Sequence, residues 1–376
     1  SVSCRQYSVQ PTIYSNQASK EVWKMHHVRT TLLLMSARIL HIVKWYPNPV
    51  DPQNGIFVKK HIDATEEQPN VLGFINAQFE TIEAGNLTLY GAQEMGISAK
   101  VAALYGALAR VQPDAVHFHC YAQDLWVFSK ILKSKGIPYI HSEHWSGLLP
   151  ENNATLRGIK RKMMKVFFEG AAQVLPVSQA LSQGILQIAP KAKITVVPNI
   201  IEEIDFSKPK EFPSISFCVV GDVVFSIKRQ DIILNAFRQL PSSQCELHFY
   251  GGGPDLEKLQ ALTKHDLNIT VHGRMTNEMV LHSLPNHHAH VQFSAYETFG
   301  IATLEARKAG LWAISRASFG SSSYADKGVL WAENEEELIK SMRQILELEK
   351  PDINPFEGLS AAGIGLQIQK CYNAVL

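Results

Sequence analysis

From Arg38 onward the chain alternates short, almost unbroken apolar runs with segments whose apolar residues recur at helical spacing, and this alternation is the strongest restriction on its fold. Ile39 to Lys44, Ala115 to Cys120, Tyr139 to His144, Gln173 to Val177 and Ile194 to Val197 lack the in-and-out pattern of half-solvated strands. Strands apolar on both faces are covered on both faces, which is the condition of a parallel sheet layered with helices. The covering helices are expected over Ile97 to Arg110, Leu125 to Lys135, Leu156 to Glu169 and Ala180 to Ile188, each bounded near Gly, Pro or Ser. The result is a doubly wound α/β layer structure.

The pattern stops over Pro198 to Pro213, where prolines and acids suggest a linker, and restarts at Ser216. A second α/β unit then uses Ser216 to Val220, Glu246 to Tyr250, Ile269 to His272, His290 to Phe293 and Trp312 to Ser315 as strands. Helices are expected over 229–239, 255–264, 276–284, 300–309 and 335–348. The domains are accordingly 38–205 and 206–350, with 351–376 carrying a last helix, about 363–375, that crosses back to the first domain. A length of 376 residues agrees with two domains. Residues 1–37 show no period and a single acid, Glu21, so they are expected to be a tail outside the fold, with Met35 a sensible natural start. Open parallel sheets bind ligands beyond the carboxyl ends of their strands, so two of them imply a ligand cleft between the domains.

Composition excludes several classes. No run of eighteen apolar residues is present, so a membrane span is not expected, and Leu32 to Met35 is too short for a secretory leader. A net charge of +1 gives no footprint for nucleic acid, although 38–200 carries a net +4 and 201–376 a net −6. Cys4, Cys120, Cys218, Cys245 and Cys371 form an odd, scattered set that suits reduced thiols and a cytoplasmic location.

The most informative stretch runs from Phe293 to Gly310: a strand, a loop, and a helix beginning near Phe299 or Gly300. A helix start presents free N–H groups and the positive end of the dipole, and Gly300 lets an anion approach the backbone, so this is a candidate phosphate seat. Glu297 precedes the helix and Glu305 lies within it, where carboxylates would address neutral hydroxyls on either side of a phosphate. A capping glutamate and a solvated helix face is the plainer alternative for the pair.

Glu297-x7-Glu305 within Ser-x-x-Glu-Thr-Phe-Gly-Ile-x-x-Leu-Glu-Ala, together with Gly221 and Lys228, Tyr250-Gly-Gly-Gly-Pro-Asp255, Val197-Pro-Asn199 and Pro113-Asp-Ala-Val-His-Phe-His119, resembles the retaining glycosyltransferases of family 4. The resemblance spans about 38–376 and implies a GT-B fold, two Rossmann-like domains facing a central cleft. It implies that Glu297 contacts donor-sugar hydroxyls, that Glu305 contacts the nucleotide ribose, and that backbone N–H groups of Phe299, Gly300 and Ile301 meet sugar and diphosphate. Lys228 would neutralise the diphosphate, with Gly221 and the glycine run around Gly252 nearby. Two departures stand out: the family's Gly-Arg is Gly221-Asp222 here, so either Asp222 points away or Arg229, Arg274 or Arg316 supplies the missing charge, and Ser318 to Ser323 replaces a Gly-Gly and an acid.

In the first domain Asn54-Gly55 matches the family's glycine loop beneath donor and acceptor, although Asn-Gly is also an ordinary turn. His144, by the same resemblance, lies in the cleft beside the donor sugar, whereas His117, His119 and His141 read equally as structurally satisfied. No metal is expected: neither His117-x-His119 nor the set His287, His288 and His290 has ligand spacing. The glycine run is not the dinucleotide fingerprint, which disfavours a nicotinamide dehydrogenase. Residues 157–168 interleave Arg157, Lys160, Arg161, Lys162 and Lys165 with apolar residues, which fits contact with an anionic membrane or a solvated helix face.

The expected function is transfer of a sugar from a nucleotide-diphosphate donor to a hydroxyl of a glycan or lipid-linked acceptor, with configuration retained and without cofactor. A catalytically weak sugar-nucleotide-binding homologue and an epimerase of the same fold are the alternatives. The sequence does not choose between uracil and guanine.

Overall fold

A computed structural model describes residues 37–202, 214–316, 328–349 and 358–376. The expected tail, most of the linker and the loop Ser318 to Ser323 lie outside the described residues.

The first domain is built on β1 (Ile39–Val43), β2 (Asn70–Ile75), β3 (Ile82–Ala84), β4 (Leu87–Gly91), β5 (Ala115–His119), β6 (Tyr139–Glu143) and β7 (Gln173–Pro176). They form one sheet in the order β3-β4-β2-β1-β5-β6-β7, parallel throughout except for the β3–β4 edge hairpin. Its helices are α1 (Ile56–Asp63), α2 (Ile97–Val111), α3 (Asp124–Ser134), the short α4 (Pro150–Asn153), α5 (Gly158–Gly170) and α6 (Gln179–Ile188). β1, β5 and β6 are buried at every residue, as strands covered on both faces must be. Ser178 caps α6 by accepting from the Leu181 amide at 3.2 Å, which fixes where that helix begins.

The second domain uses β8 (Ile215–Val220), β9 (Cys245–Tyr250), β10 (Ile269–Gly273), β11 (Ala289–Val291), β12 (Trp312–Ser315) and β13 (Val329–Trp331), in the order β10-β9-β8-β11-β12-β13 and all parallel. Its helices are α7 (Phe225–Lys228), α8 (Gln230–Phe237), α9 (Leu256–Thr263), α10 (Asn277–Ser283), α11 (Ile301–Lys308) and α12 (Glu335–Ile345). Each domain carries its own apolar core.

The last helix, α13 (Ala361–Asn373), packs against the first domain, not the second. Ile364, Ile368, Cys371 and Tyr372 join the first core, the Tyr372 hydroxyl shares a 2.7 Å hydrogen bond with His117 Nδ1, and Gln369 Nε2 donates to the Thr65 carbonyl at 2.8 Å. The chain therefore passes from the first domain to the second and returns to the first. Two features differ from the expected pattern. Ile194 to Val197 contributes a single bridge, Val174 with Ile194, where a strand is expected. Residues 70–91 hold three strands, which the apolar runs do not announce.

Candidate functional site

Between the domains lies a cavity of about 520 Å3, walled by Trp45, Phe57, His144 and Asn199 from the first domain and by Gly221, Lys228, Glu297, Phe299, Gly300, Ile301 and Glu305 from the second. Gly252, Asn54 and Gly55, and the three arginines Arg229, Arg274 and Arg316, are not in its lining.

Gly300 caps α11 with φ 84 and ψ 49, a left-handed conformation that favours glycine. The Thr303 and Leu304 amides turn back to the Gly300 carbonyl, whereas those of Ile301 and Ala302 have no acceptor among the described residues, and both residues line the cavity. No acid occupies the first turn of α11, so the positive end of the dipole is uncompensated.

Lys228 ends α7, and the Ala295 amide donates to the Ile227 carbonyl at 2.6 Å, which ties the loop carrying Glu297 to that helix. Lys228 Nζ meets Glu297 Oε2 at 2.6 Å, and Gln292 Nε2 donates to the same oxygen at 2.7 Å. Gln292 is itself oriented by Thr303, whose hydroxyl donates to its Oε1 at 2.7 Å. Cation and carboxylate thus neutralise each other at the mouth of the helix, in a pair that an incoming anion can open.

Glu305 is 3% exposed and its Oε1 has no hydrogen-bond partner among the described residues. Burial pushes its carboxyl up to about 7, against the opposing pull of Lys60, while Glu202 adds to the rise and a hydrogen bond from Asn277 lowers it. A carboxyl poised there can donate as well as accept.

His144 packs its ring at 4.7 Å from Phe57 and 5.3 Å from His61, measured between centroids. Neither ring nitrogen has a hydrogen-bond partner of normal geometry, and Asn199 Oδ1, in the same lining, is equally unpartnered. Burial holds the imidazole well below its ordinary range, His61 and His141 add to the effect, and the neighbouring Asn199 side chain opposes it without reversing it, so the ring is neutral. The backbone at His144 is held by the fully buried Glu143, whose Oε1 accepts from the His144 and Trp145 amides at 2.8 Å each, and whose Oε2 takes the Tyr121 amide at 3.1 Å and meets His141 Nε2 at 2.9 Å.

Asp222 finds its cation in Arg274, at 3.3 Å, and the same guanidinium reaches Asp51 of the first domain at 3.4 Å. Arg229 instead stands over the Phe293 ring, and Arg316 is spent on the Ser294 and Ala295 carbonyls and on Glu333. Of the three cations, Arg274 is the one paired with Asp222.

Gly55, with φ 61, serves the fold: a Cβ there would sit 2.4 Å from the Trp45 carbonyl carbon, so the glycine lets α1 start against the strand-end loop that presents Trp45. Asn54 belongs to the same turn, its amide donating to the Asp51 carbonyl at 3.2 Å. Gly252 lies beneath the Arg274 side chain, while its amide neighbours fasten the loop that carries Gly221, with Val223 N donating to Gly252 O at 2.6 Å. These three residues support the cavity from behind.

Trp45, Phe57, Asn199 and Gln292 line the site without having been assigned roles from sequence. Gln292 directly follows β11 and Trp45 stands two residues beyond the end of β1, so both reach the site from the carboxyl ends of strands.

Among the described residues the ring nitrogens of His41, His117 and His119 come within 4.8 Å of one another. His117 spends both nitrogens on Tyr372 and on Ser142 Oγ, and His41 Nδ1 lies 3.1 Å from His119 Nε2. The set is a hydrogen-bonded network joining β1, β5, β6 and α13. His287 likewise bridges Ser216 and Tyr250.

Two parallel-sheet domains with a helix start, a lysine and two glutamates converging on the cleft define a protein of the GT-B class. The family model for glycosyl transferases group 1 matches residues 200–354 and that for glycosyltransferase family 4 matches residues 86–203. The chain is a group 1, family-4-like glycosyltransferase. No curated protein sequence matches it. Similar solved structures include the apo form of the lipopolysaccharide outer core galactosyltransferase WaaB (16% identity, TM-score 0.62, 90% of this chain and 98% of that one). HepE of Anabaena in complex with UDP and glucose is alike at 14% identity and TM-score 0.62, over 90% and 99% of the two chains. The sucrose-phosphate synthase of Thermosynechococcus elongatus follows at 15% identity and TM-score 0.66, over 90% and 94%. At these identities the likeness is one of fold.

Proposed function

We propose that the chain transfers a sugar from a nucleotide-diphosphate sugar to a hydroxyl of a glycan or lipid-linked acceptor, with retention of anomeric configuration, in the synthesis of a cell-surface polysaccharide or glycolipid. The observation that carries this reading is the set of buried polar atoms around one cavity that lack a hydrogen bond of normal geometry among the described residues: both His144 nitrogens, Asn199 Oδ1 and Glu305 Oε1, with His144 and Asn199 close enough to influence each other. Buried polar groups are normally paired, so a lining of this kind fits a ligand rich in hydroxyls. The helix start of α11 and Lys228 add what a diphosphate requires.

In this reading the diphosphate seats against the Ile301 and Ala302 amides and draws Lys228 from Glu297. The freed Glu297 and the neutral His144 take hydroxyls of the donor sugar, and Glu305 takes the ribose. As the bond from the anomeric carbon to the phosphate oxygen breaks, negative charge grows on the leaving diphosphate, and donors fixed in advance stabilise that state more than the ground state. The helix dipole contributes about 0.3 to 2 kcal/mol. The acceptor oxygen bonds to the anomeric carbon from the face the leaving group vacates, and its proton passes to the phosphate oxygen, so no protein nucleophile is needed. Positive charge comes from Lys228 and the helix start, and the reading assigns no metal.

We place the protein in the cytoplasm, at the inner membrane face. α5 buries Met164, Phe167 and Phe168 and exposes Ile159 and Val166 beside Lys160, Lys162 and Lys165, a face suited to anionic lipid. No described helix is long and apolar enough to cross a membrane.

A thermal-shift series with UDP, GDP, ADP and their hexoses tests the donor assignment. A ligand at 100 times its dissociation constant raises stability by about 2.7 kcal/mol. A shift with at least one nucleotide sugar, lost in Glu297→Ala or Glu305→Ala, is expected; no shift with any of them contradicts the reading.

A further inference from the structure

A second cavity, of about 430 Å3, opens on the other side of Trp45, which is a wall of both. It sits at the carboxyl ends of β1 and β5. In the first sheet β2, β4 and β3 lie to one side of β1 while β5, β6 and β7 lie to the other, so this is the point where the strand order reverses. Crevices at such switch points are where open α/β sheets take their ligands.

Its chemistry is specific. Lys44, directly after β1, and Lys100, from α2, both pair with Asp124 at the start of α3, the second at 3.2 Å. The three side chains are 12%, 17% and 12% exposed, so a half-buried cluster carries two cations against one carboxylate. Asp124 Oδ1 and the Tyr121 hydroxyl have no hydrogen-bond partner among the described residues. Trp45, Phe74 and Tyr121 supply aromatic surface, and Lys44 Nζ stands 5.3 Å from the centre of the Phe74 ring. Desolvation draws the Lys44 ammonium below its ordinary range, a strain that a bound anion would relieve.

Resting on the transferase reading above, we infer that this crevice holds the acceptor and selects one bearing an oxyanion, a phosphomonoester or a carboxylate, which Lys44 and Lys100 bind while the sugar ring lies along Trp45 and Tyr121. Among the described residues Asp124 is the ion-pair partner of both lysines, which leaves a net positive charge, and the shared tryptophan puts the acceptor beside the donor cavity. Asp124 holds the lysines apart from solvent and competes with the incoming anion, so its charge tunes affinity downward.

The test is calorimetric titration of the full chain at low ionic strength with glucose 6-phosphate, glucuronate, inorganic phosphate and glucose, alongside UDP, GDP and ADP. At least one charged hexose is expected to bind tenfold or more tightly than glucose, and comparison of phosphate ester with uronate identifies the source of the anion. Lys100→Gln should weaken that binding at least tenfold. Asp124→Asn, which preserves shape and frees both lysines, should strengthen it severalfold, whereas a purely structural triad would lose binding in both variants. Nucleotide affinity should stay within twofold in each. Nucleotide binding without a preference for charged hexoses, or a preference that survives Lys100→Gln or declines in Asp124→Asn, overturns the inference and leaves the donor reading intact; absence of nucleotide binding overturns both.

Discussion

Glu305→Gln separates a buried neutral carboxyl from an ordinary surface one. In the folded chain burial lifts Glu305 from its ordinary 4.5 to about 7. An acid that holds its proton more tightly when folded favours the native state least where it must ionise. The penalty is absent below 4.5, grows as pH rises towards 7 and is complete above it. Two and a half pH units at 1.36 kcal/mol each give a full penalty of about 3 kcal/mol. Glutamine keeps the shape and carries no charge at any of these pH values. Relative to wild type, the variant should therefore gain about 2 to 3 kcal/mol between pH 5 and pH 8. Urea unfolding of both proteins at the two pH values, followed by tryptophan fluorescence, reads this difference. A wild-type minus variant gap that is equal at pH 5 and pH 8 would refute the buried, neutral carboxyl. The same variant should bind nucleotide more weakly, because an amide replaces the group assigned to the ribose.

Lys228→Ala should lower turnover strongly, read by steady-state kinetics with the donor found in the nucleotide series, while changing stability by no more than about 1 kcal/mol because the Lys228–Glu297 pair is partly exposed. Gly300→Ala places a side chain at φ 84 and should cost about 1 to 2 kcal/mol in thermal unfolding, with a parallel loss of nucleotide affinity. Tyr372→Phe leaves His117 Nδ1 buried without its partner and should cost about 1 to 3 kcal/mol, with faster hydrogen exchange in α13.

The layered architecture was legible because β1, β5, β6 and β8 are buried nearly throughout, and burial on both faces writes itself as an unbroken apolar run. β3 and β4 were not, since the edge strand β3 is mostly exposed, with residues such as Glu83 facing solvent, and β4 carries the polar Thr88 inside its buried stretch, which breaks the apolar run. β2 is interrupted at Gly73, which splits its run, and β13 has only three residues. At the site, the α11 start and its two glutamates could be read because helix initiation is a local property. Trp45, Asn199 and Gln292 could not, because they reach the cavity by tertiary placement beyond strand ends or, for Asn199, by the chain's passage between domains. At Gly55 the structure shows a demand that the sequence did not: the missing side chain makes room for the Trp45 backbone.

The most direct trial of the central claim is a crystal structure of the chain with the nucleoside diphosphate that gives the largest thermal shift. The expected result is diphosphate oxygens about 2.7 to 3.2 Å from the Ile301 and Ala302 amides, with Lys228 turned from Glu297 onto the phosphate. A nucleotide bound elsewhere, with the Lys228–Glu297 pair undisturbed, would contradict it.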